Sequence, residues 1–270
     1  MNLETVNLAV SEGVARIELN RPDKANAMNR QMWQDIRAAF RRVDEMTEAR
    51  VAVISGRGKY FTSGIGLDML AGLRQQMQDD CDGRSSERLR RTILDLQDTL
   101  SSIERCRKPV IAEIHGACIG GGIDLITCCD MRYAAADAYF SVKEIDVGMT
   151  ADVGTLQRLP KLVPDGIVRE LAYTGRRFDA DEAKAMGLVH RVVPAAELEA
   201  LVLEYCTTIA ENAPLTIRAS KRIIRELLKS SPAFDAQACT ALVRQCFDSQ
   251  DYIEGRRAFM EKRKPVFKGK

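Results

Sequence analysis

The run from Gly116 to Pro160, GACIGGGIDLITCCDMRYAAADAYFSVKEIDVGMTADVGTLQRLP, constrains this chain more than any other. Three consecutive glycines, Gly120 to Gly122, stand between a β-rich run, PVIAEI from Pro109, and an apolar helix-like run. Glycines let a ligand approach backbone N–H groups closely, and the start of a following helix concentrates positive partial charge there. Further on, Asp124, Glu144 and Asp152 lie among apolar or small residues. Carboxyls in such surroundings are candidates for shifted protonation and proton transfer. The combination points to a site that polarises an oxygen and moves protons.

The flanking sequence alternates strand and helix signals. Residues 4–8 and 14–20 alternate apolar and polar, which predicts two antiparallel strands joined at Ser11-Glu12-Gly13. Arg21-Pro22-Asp23-Lys24 reads as a turn. Met32, Trp33, Ile36, Ala39, Phe40 and Val43 recur at helical spacing, with Asn29 placed to cap the helix. Val51 to Ile54 is a short buried-type strand, and glycines 56, 58, 64 and 66 make a loop. A short helix is expected from Leu67, a mobile polar surface segment over 74–92, and a helix from about Ser86 to Cys106. Beyond the central run the pattern turns helical, with a capping box at Asp179–Glu182 and a short strand over Leu188–Val193. Helices follow over 196–211, 214–229, 234–248 and 250–261. The pattern therefore divides the chain into an α/β core, 1–195, that carries the site, and an all-helical region, 196–270.

Composition narrows the function classes. With 40 basic and 38 acidic residues the formal charge is +2, which gives no bulk reason to expect nucleic acid or an anionic membrane as partner. No apolar run approaches the length of a bilayer span, and the N-terminus does not read as a secretory signal. The eight cysteines show no CxxC pair and no metal-ligand spacing, and Cys128-Cys129 lies in an apolar run. A reducing, cytoplasmic setting is the expectation.

The segments RPDKANAMN, GKYFTSGIGLDM, KPVIAEIHGACIGGGIDL, FSVKEIDVGMTADVGTLQRLP and AFMEKRKPVF together resemble the enoyl-CoA hydratase/isomerase (crotonase) superfamily, in matching order along nearly the whole chain. Within it the acid pattern is similar to that of the Δ3,5-Δ2,4-dienoyl-CoA isomerases. The resemblance implies a right-handed spiral of ββα units with a C-terminal helical trimerisation region, assembled as a homotrimer or homohexamer. It implies an oxyanion hole from the backbone N–H groups of Ile65 and Gly121, and no metal or redox cofactor, since coenzyme A arrives as part of the substrate. Each such donor typically contributes roughly 2.7–4 kcal/mol of transition-state stabilisation.

Asp124 and Glu144 match the positions of the two carboxylates that handle water in family hydratases, although the first is usually Glu there. Asp152 matches the extra acid of the isomerase pattern, where hydratases carry a small residue; an N-cap role competes for it. Moving a 3,5-diene to a 2,4-diene, a step of unsaturated fatty acid β-oxidation, removes a proton at C2 and adds one at C6. Two carboxylates flanking the acyl chain suit that geometry. The resemblance thus implies Glu144 and Asp152 as the acid/base pair, with Asp152 taking the C2 proton and Asp124 tuning the pair. It also implies Lys24, Phe259 and Lys262 as CoA contacts, the last two in a segment that relatives can supply from a neighbouring subunit. His115 and His190 fall outside the catalytic set. The chain departs from the isomerase pattern at Gly66, where relatives commonly have Asp; Asp68 follows two positions later. Two rival readings stay open: an enoyl-CoA hydratase that uses Asp124 and Glu144 on water, and a non-catalytic binding protein on the same scaffold.

Overall fold

The computed structural model describes residues 3–66, 69, 72, 79–228 and 235–270. The short helix expected from Leu67 begins on residues outside that set, as does Asp68. Strands β1 (Val6–Ser11) and β2 (Val14–Leu19) form an antiparallel hairpin. Its turn residues, Glu12 and Gly13, both take positive φ, the conformation a two-residue hairpin loop with right-handed twist requires. Helix α1 (Arg30–Glu45) follows, capped as read by Asn29, whose side chain accepts from the Met32 N–H. Next come β3 (Val51–Gly56), α2 (Asp82–Arg105), β4 (Val110–Ile114), β5 (Ala117–Ile119), α3 (Gly121–Ile126), β6 (Met131–Ala135) and β7 (Tyr139–Ser141). Helices α4 (Thr155–Arg158) and α5 (Asp165–Thr174), strand β8 (Phe178–Asp179), helix α6 (Ala180–Ala185) and strand β9 (Arg191–Val193) complete the core. Helices α7 (Ala195–Glu211), α8 (Pro214–Leu227), α9 (Ala236–Phe247) and α10 (Gln250–Glu261) end the chain.

Six strands make one sheet in the order β1-β2-β3-β4-β6-β9, parallel from β2 onward; β5, β7 and β8 make a second, smaller sheet. The path repeats one move. The chain leaves a strand of the large sheet and steps into the small one, from β4 to β5 and from β6 to β7. After β3 it does the same with a single residue, Thr62, which bridges Cys118 of β5. These are successive coils of the expected spiral. Helix α2 starts at Asp82, earlier than read, so much of the segment read as mobile and polar is helical.

The middle of the large sheet is covered on both faces, which is why β3 reads as a continuous apolar run while the edge strand β1 alternates. Trp33, Ile36 and Phe40 of α1 pack on one side with Leu100 and Ile103 of α2, all within 2% of complete burial. On the other side Val51, Val53 and Ile111 meet Leu198, Val202 and Cys206 of α7. Strands β5, β6 and β7 lack an alternating pattern, and the sequence reading passed over them. Arg132, the second residue of β6, is buried because its guanidinium donates to the Leu188 and Cys129 carbonyls, both at 2.6 Å. Among the described residues, no helix is long and apolar enough to cross a membrane.

One buried side chain ties the start of the spiral to the loop after β3. Asn26 is fully buried at φ 51. Its Oδ1 accepts from Arg21 N–H at 2.8 Å, and its Nδ2 donates to the Arg57 and Tyr60 carbonyls at 2.9 and 2.8 Å. Asn26→Ala strands those backbone groups and puts a methyl group at a positive-φ position. We expect a loss of about 2–4 kcal/mol of unfolding free energy in urea titration; a change within about 0.5 kcal/mol would show that the cross-link is dispensable.

Candidate active site

The site is built where two coils of the spiral end side by side. The chain at Met28 pairs in parallel with Ile65: Met28 N–H donates to Gly64 O at 2.8 Å and Gly66 N–H to Met28 O at 3.0 Å. That pairing occupies the groups on either side of Ile65 and leaves the Ile65 N–H unused. Gly121 is the first residue of α3, so its N–H has no partner within the helix. A methyl group on Gly64 would stand 3.3 Å from Gly121 N, and one on Gly121 would stand 3.5 Å from Ile65 N. The two amides are therefore neighbours, and neither donates to another group among the described residues. Gly64 takes φ +90, which only glycine adopts without strain, and Ile119 O closes off the space a side chain would need.

Gly120 joins these donors to the first acid. Its φ is +52, its N–H donates to Ser141 O at 2.9 Å, and a methyl group there would lie 3.2 Å from Glu144 Oε1. Glu144 opens a single 3-10 turn, Glu144–Val147, directly after β7. It is only 8% exposed, and its Oε2 is buried without a hydrogen-bond partner among the described residues. Burial pushes the carboxyl up to about 7, helped by the charge of Asp124 and, less, by that of Asp152. Asp124, on α3, is buried; its Oδ1 accepts from both the N–H and the hydroxyl of Thr155, at 2.6 and 2.7 Å. Burial raises it to about 6, against the pull of those bonds and of Arg158.

Asp152 is half-buried, and its carboxyl makes no hydrogen bond among the described residues. The competing capping role is not the one it takes. The cap position of α4 is Gly154, which offers no side chain, and the Thr155 N–H goes to Asp124 instead. The Asp152 loop runs beside Asp124: a methyl group on Gly154, two residues on, would stand 3.3 Å from Asp124 Oδ1.

The remaining sequence-predicted residues fall elsewhere. Lys24 is exposed at the end of the 3-10 turn Pro22–Lys24, next to Ala25, whose carbonyl accepts from Ser63 N–H. Lys262 is exposed just beyond α10, and no hydrogen bond or ion pair joins it to the acid-bearing loops. Phe259 lies on α10; its side chain is outside the described residues. His115 Nε2 bonds Gly58 O at 2.9 Å, and His190 Nδ1 meets Arg132 N–H at 3.0 Å, so both rings hold backbone in place. No group of three or more metal-ligating side chains occurs among the described residues. Sequence reasoning missed Thr155 as the partner of Asp124. The available signal was that an acid in an apolar helix needs a donor, and a Gly-Thr pair close behind Asp152 could supply one.

Residues 9–270 match the enoyl-CoA hydratase/isomerase family, and the chain belongs to it. It is 49% identical over 212 residues to the human mitochondrial delta(3,5)-delta(2,4)-dienoyl-CoA isomerase, a match covering 77% of this chain and 64% of that protein. It is 40% identical to the peroxisomal protein of the same name from Arabidopsis thaliana, over 98% of this chain and 96% of that one. Its fold superposes on an enoyl-CoA hydratase/carnithine racemase from Magnetospirillum magneticum with a TM-score of 0.89 at 31% identity, covering 100% and 97% of the two chains.

The environment of Glu144 sets how stability responds to pH. Its folded pKa of about 7 lies above the ordinary value of 4.5, so the folded protein holds this proton more tightly than the unfolded chain. The stability this adds is complete below about pH 4.5 and is lost as pH rises through 7. Glu144→Gln removes the charge, so at pH 8 the variant should be more stable than the parent by about 2–3 kcal/mol, with the gap closing near pH 4.5. Thermal melts at the two pH values check this; parallel curves would refute it.

Proposed function

We propose that this protein is an isomerase that converts a 3,5-dienoyl-CoA to the 2,4-dienoyl-CoA, a step of unsaturated fatty acid β-oxidation. The thioester oxygen sits between the N–H groups of Ile65 and Gly121, which stabilise the negative charge that develops there. Asp152, ionised, takes the C2 proton; the enolate delocalises along the chain, and Glu144, protonated, delivers a proton to C6. The product leaves Asp152 protonated and Glu144 ionised, and exchange with solvent restores both. The observation that carries this reading is the Glu144 carboxyl: buried, with one oxygen unpaired among the described residues, and pushed up to about 7, so that about half of the molecules keep its proton at neutral pH. Asp124 tunes the pair through its charge.

The same geometry speaks against the hydratase reading. Asp124 is one methylene shorter than the usual glutamate, and its Oδ1 is held twice by Thr155, which ties it away from a water-activating role. The reaction needs no metal or redox cofactor, and coenzyme A enters with the substrate. Lys24 contacts it from the mouth of the site, while Phe259 and Lys262 reach it from a neighbouring subunit. We divide the chain into a catalytic core, 1–195, and a helical region, 196–270, that assembles a homotrimer or homohexamer; the exposed Leu227, Ile253 and Met260, at 66–81% exposure, support self-association. Nucleic acid and membrane are not partners. The buried free thiols fit a reducing compartment, and we assign the cytoplasm.

Asp152→Asn should reduce turnover of 3,5-dienoyl-CoA by at least about 10³-fold, with no mass added to any residual product. The parent rate should fall about tenfold per pH unit above 7 as Glu144 loses its proton. Asp124→Asn removes the neighbouring charge and should move that alkaline limb to lower pH. Appearance of a 3-hydroxyacyl-CoA as main product, or a rate that rises through pH 7, would overturn the assignment.

A further inference from the structure

One face of α2 is turned to the segment that carries Asp152. Gln97 Nε2 donates to the main-chain oxygen of Asp152 at 2.7 Å. Leu100 lies so near Gly154 that a methyl group there would stand 3.0 Å from its Cδ1. Arg158 donates to Ser101 Oγ at 3.2 Å and to Glu104 Oε2 through Nε at 3.0 Å and Nη2 at 2.8 Å. Positions 97, 100, 101 and 104 are spaced i, i+3, i+4 and i+7, so they share one face. From the other side Gln157 Nε2 donates to the same Asp152 oxygen. Two side-chain amides thus occupy both lone pairs of one main-chain carbonyl in a half-buried loop, where water could have served. Between the two anchors lies Thr155, the clamp on Asp124.

We propose that Gln97 and Gln157 are positioning residues for Asp152, and that this face of α2 is the template that sets the base opposite Glu144. The inference rests on the reading of Asp152 as the base. Both bonds end on the peptide, not on the carboxyl. Removing them leaves the carboxyl chemically intact but frees the peptide that aims it. A misplacement on the order of 1 Å costs about 10²-fold in rate.

The test is Gln97→Leu and Gln157→Leu, singly and together, assayed on 3,5-dienoyl-CoA in heavy water with exchange followed at C2. Each single variant should lose about threefold to tenfold in kcat, since the other amide still holds the carbonyl. The double variant should lose about 100-fold, at least as much as the product of the singles, with KM within about twofold and slowed exchange at C2. Gln157 is exposed, so its variant folds even where the Gln97 change perturbs the core, and its kcat alone then decides. Asp152→Asn runs alongside. If it abolishes turnover while the double glutamine variant keeps the parent kcat, the positioning role is overturned and the base assignment survives. If Asp152→Asn turns over normally, both are overturned.

Discussion

The hydrogen bond from the Gly120 amide to the Ser141 carbonyl holds the site together. On one side of it the chain enters α3 and exposes the Gly121 N–H; on the other it leaves β7 and reaches Glu144 within three residues. The bond forms only because residue 120 has no side chain. Its φ of +52 is costly for other residues, and a methyl group would press on the Glu144 carboxyl. The donor that would bind an oxyanion and the acid that would move a proton are thus set against each other by one main-chain contact. The opposite donor, Ile65, is fixed by the equivalent pairing one coil earlier, where Met28 takes both neighbours of its N–H.

The electrostatics follow from that enclosure. Burying a carboxyl without a cation disfavours its charged form, and Glu144 also feels the charge of Asp124 and, less, of Asp152, with no ion-pair partner among the described residues. Asp124 is treated differently. Two donors from Thr155 and the more distant Arg158 hold its pKa down, while burial holds it up. Arg158 is itself neutralised by Glu104, so it moderates Asp124 without drawing it into an ion pair. Glu144 and Asp124 thus sit in different environments, one without a donor on its buried oxygen and one held by two.

Much of this was legible before any coordinates. The apolar periodicity of α1, the Asn29 cap, the hairpin at Glu12-Gly13 and the buried β3 read directly, because each is local. The glycine run and the three acids were also visible, as a motif. What was hidden was non-local. β6 carries a buried arginine satisfied by carbonyls of other segments, a pattern no window on the sequence displays. Thr155 meets Asp124 across 31 positions and Gln97 meets Asp152 across 55, and neither residue type announces such a role. The exposed Lys262 makes no bond to the acid-bearing loops within its own chain, so its contribution is a question of assembly, which periodicity does not encode.

The stepped path of the chain acts as a ruler. Thr62, β5 and β7 lie side by side, and each is followed within three residues by a group of the site: Ile65, Gly121 and Glu144. Adjacent strands stand about 4.8 Å apart, a spacing fixed by backbone hydrogen bonding and indifferent to side-chain identity. The interval from the two neighbouring amides to the acid is therefore set by the spacing of the backbone strands. A scaffold of this kind can exchange one chemistry for another by changing a single side chain on a rung, because the rungs themselves stay where they are.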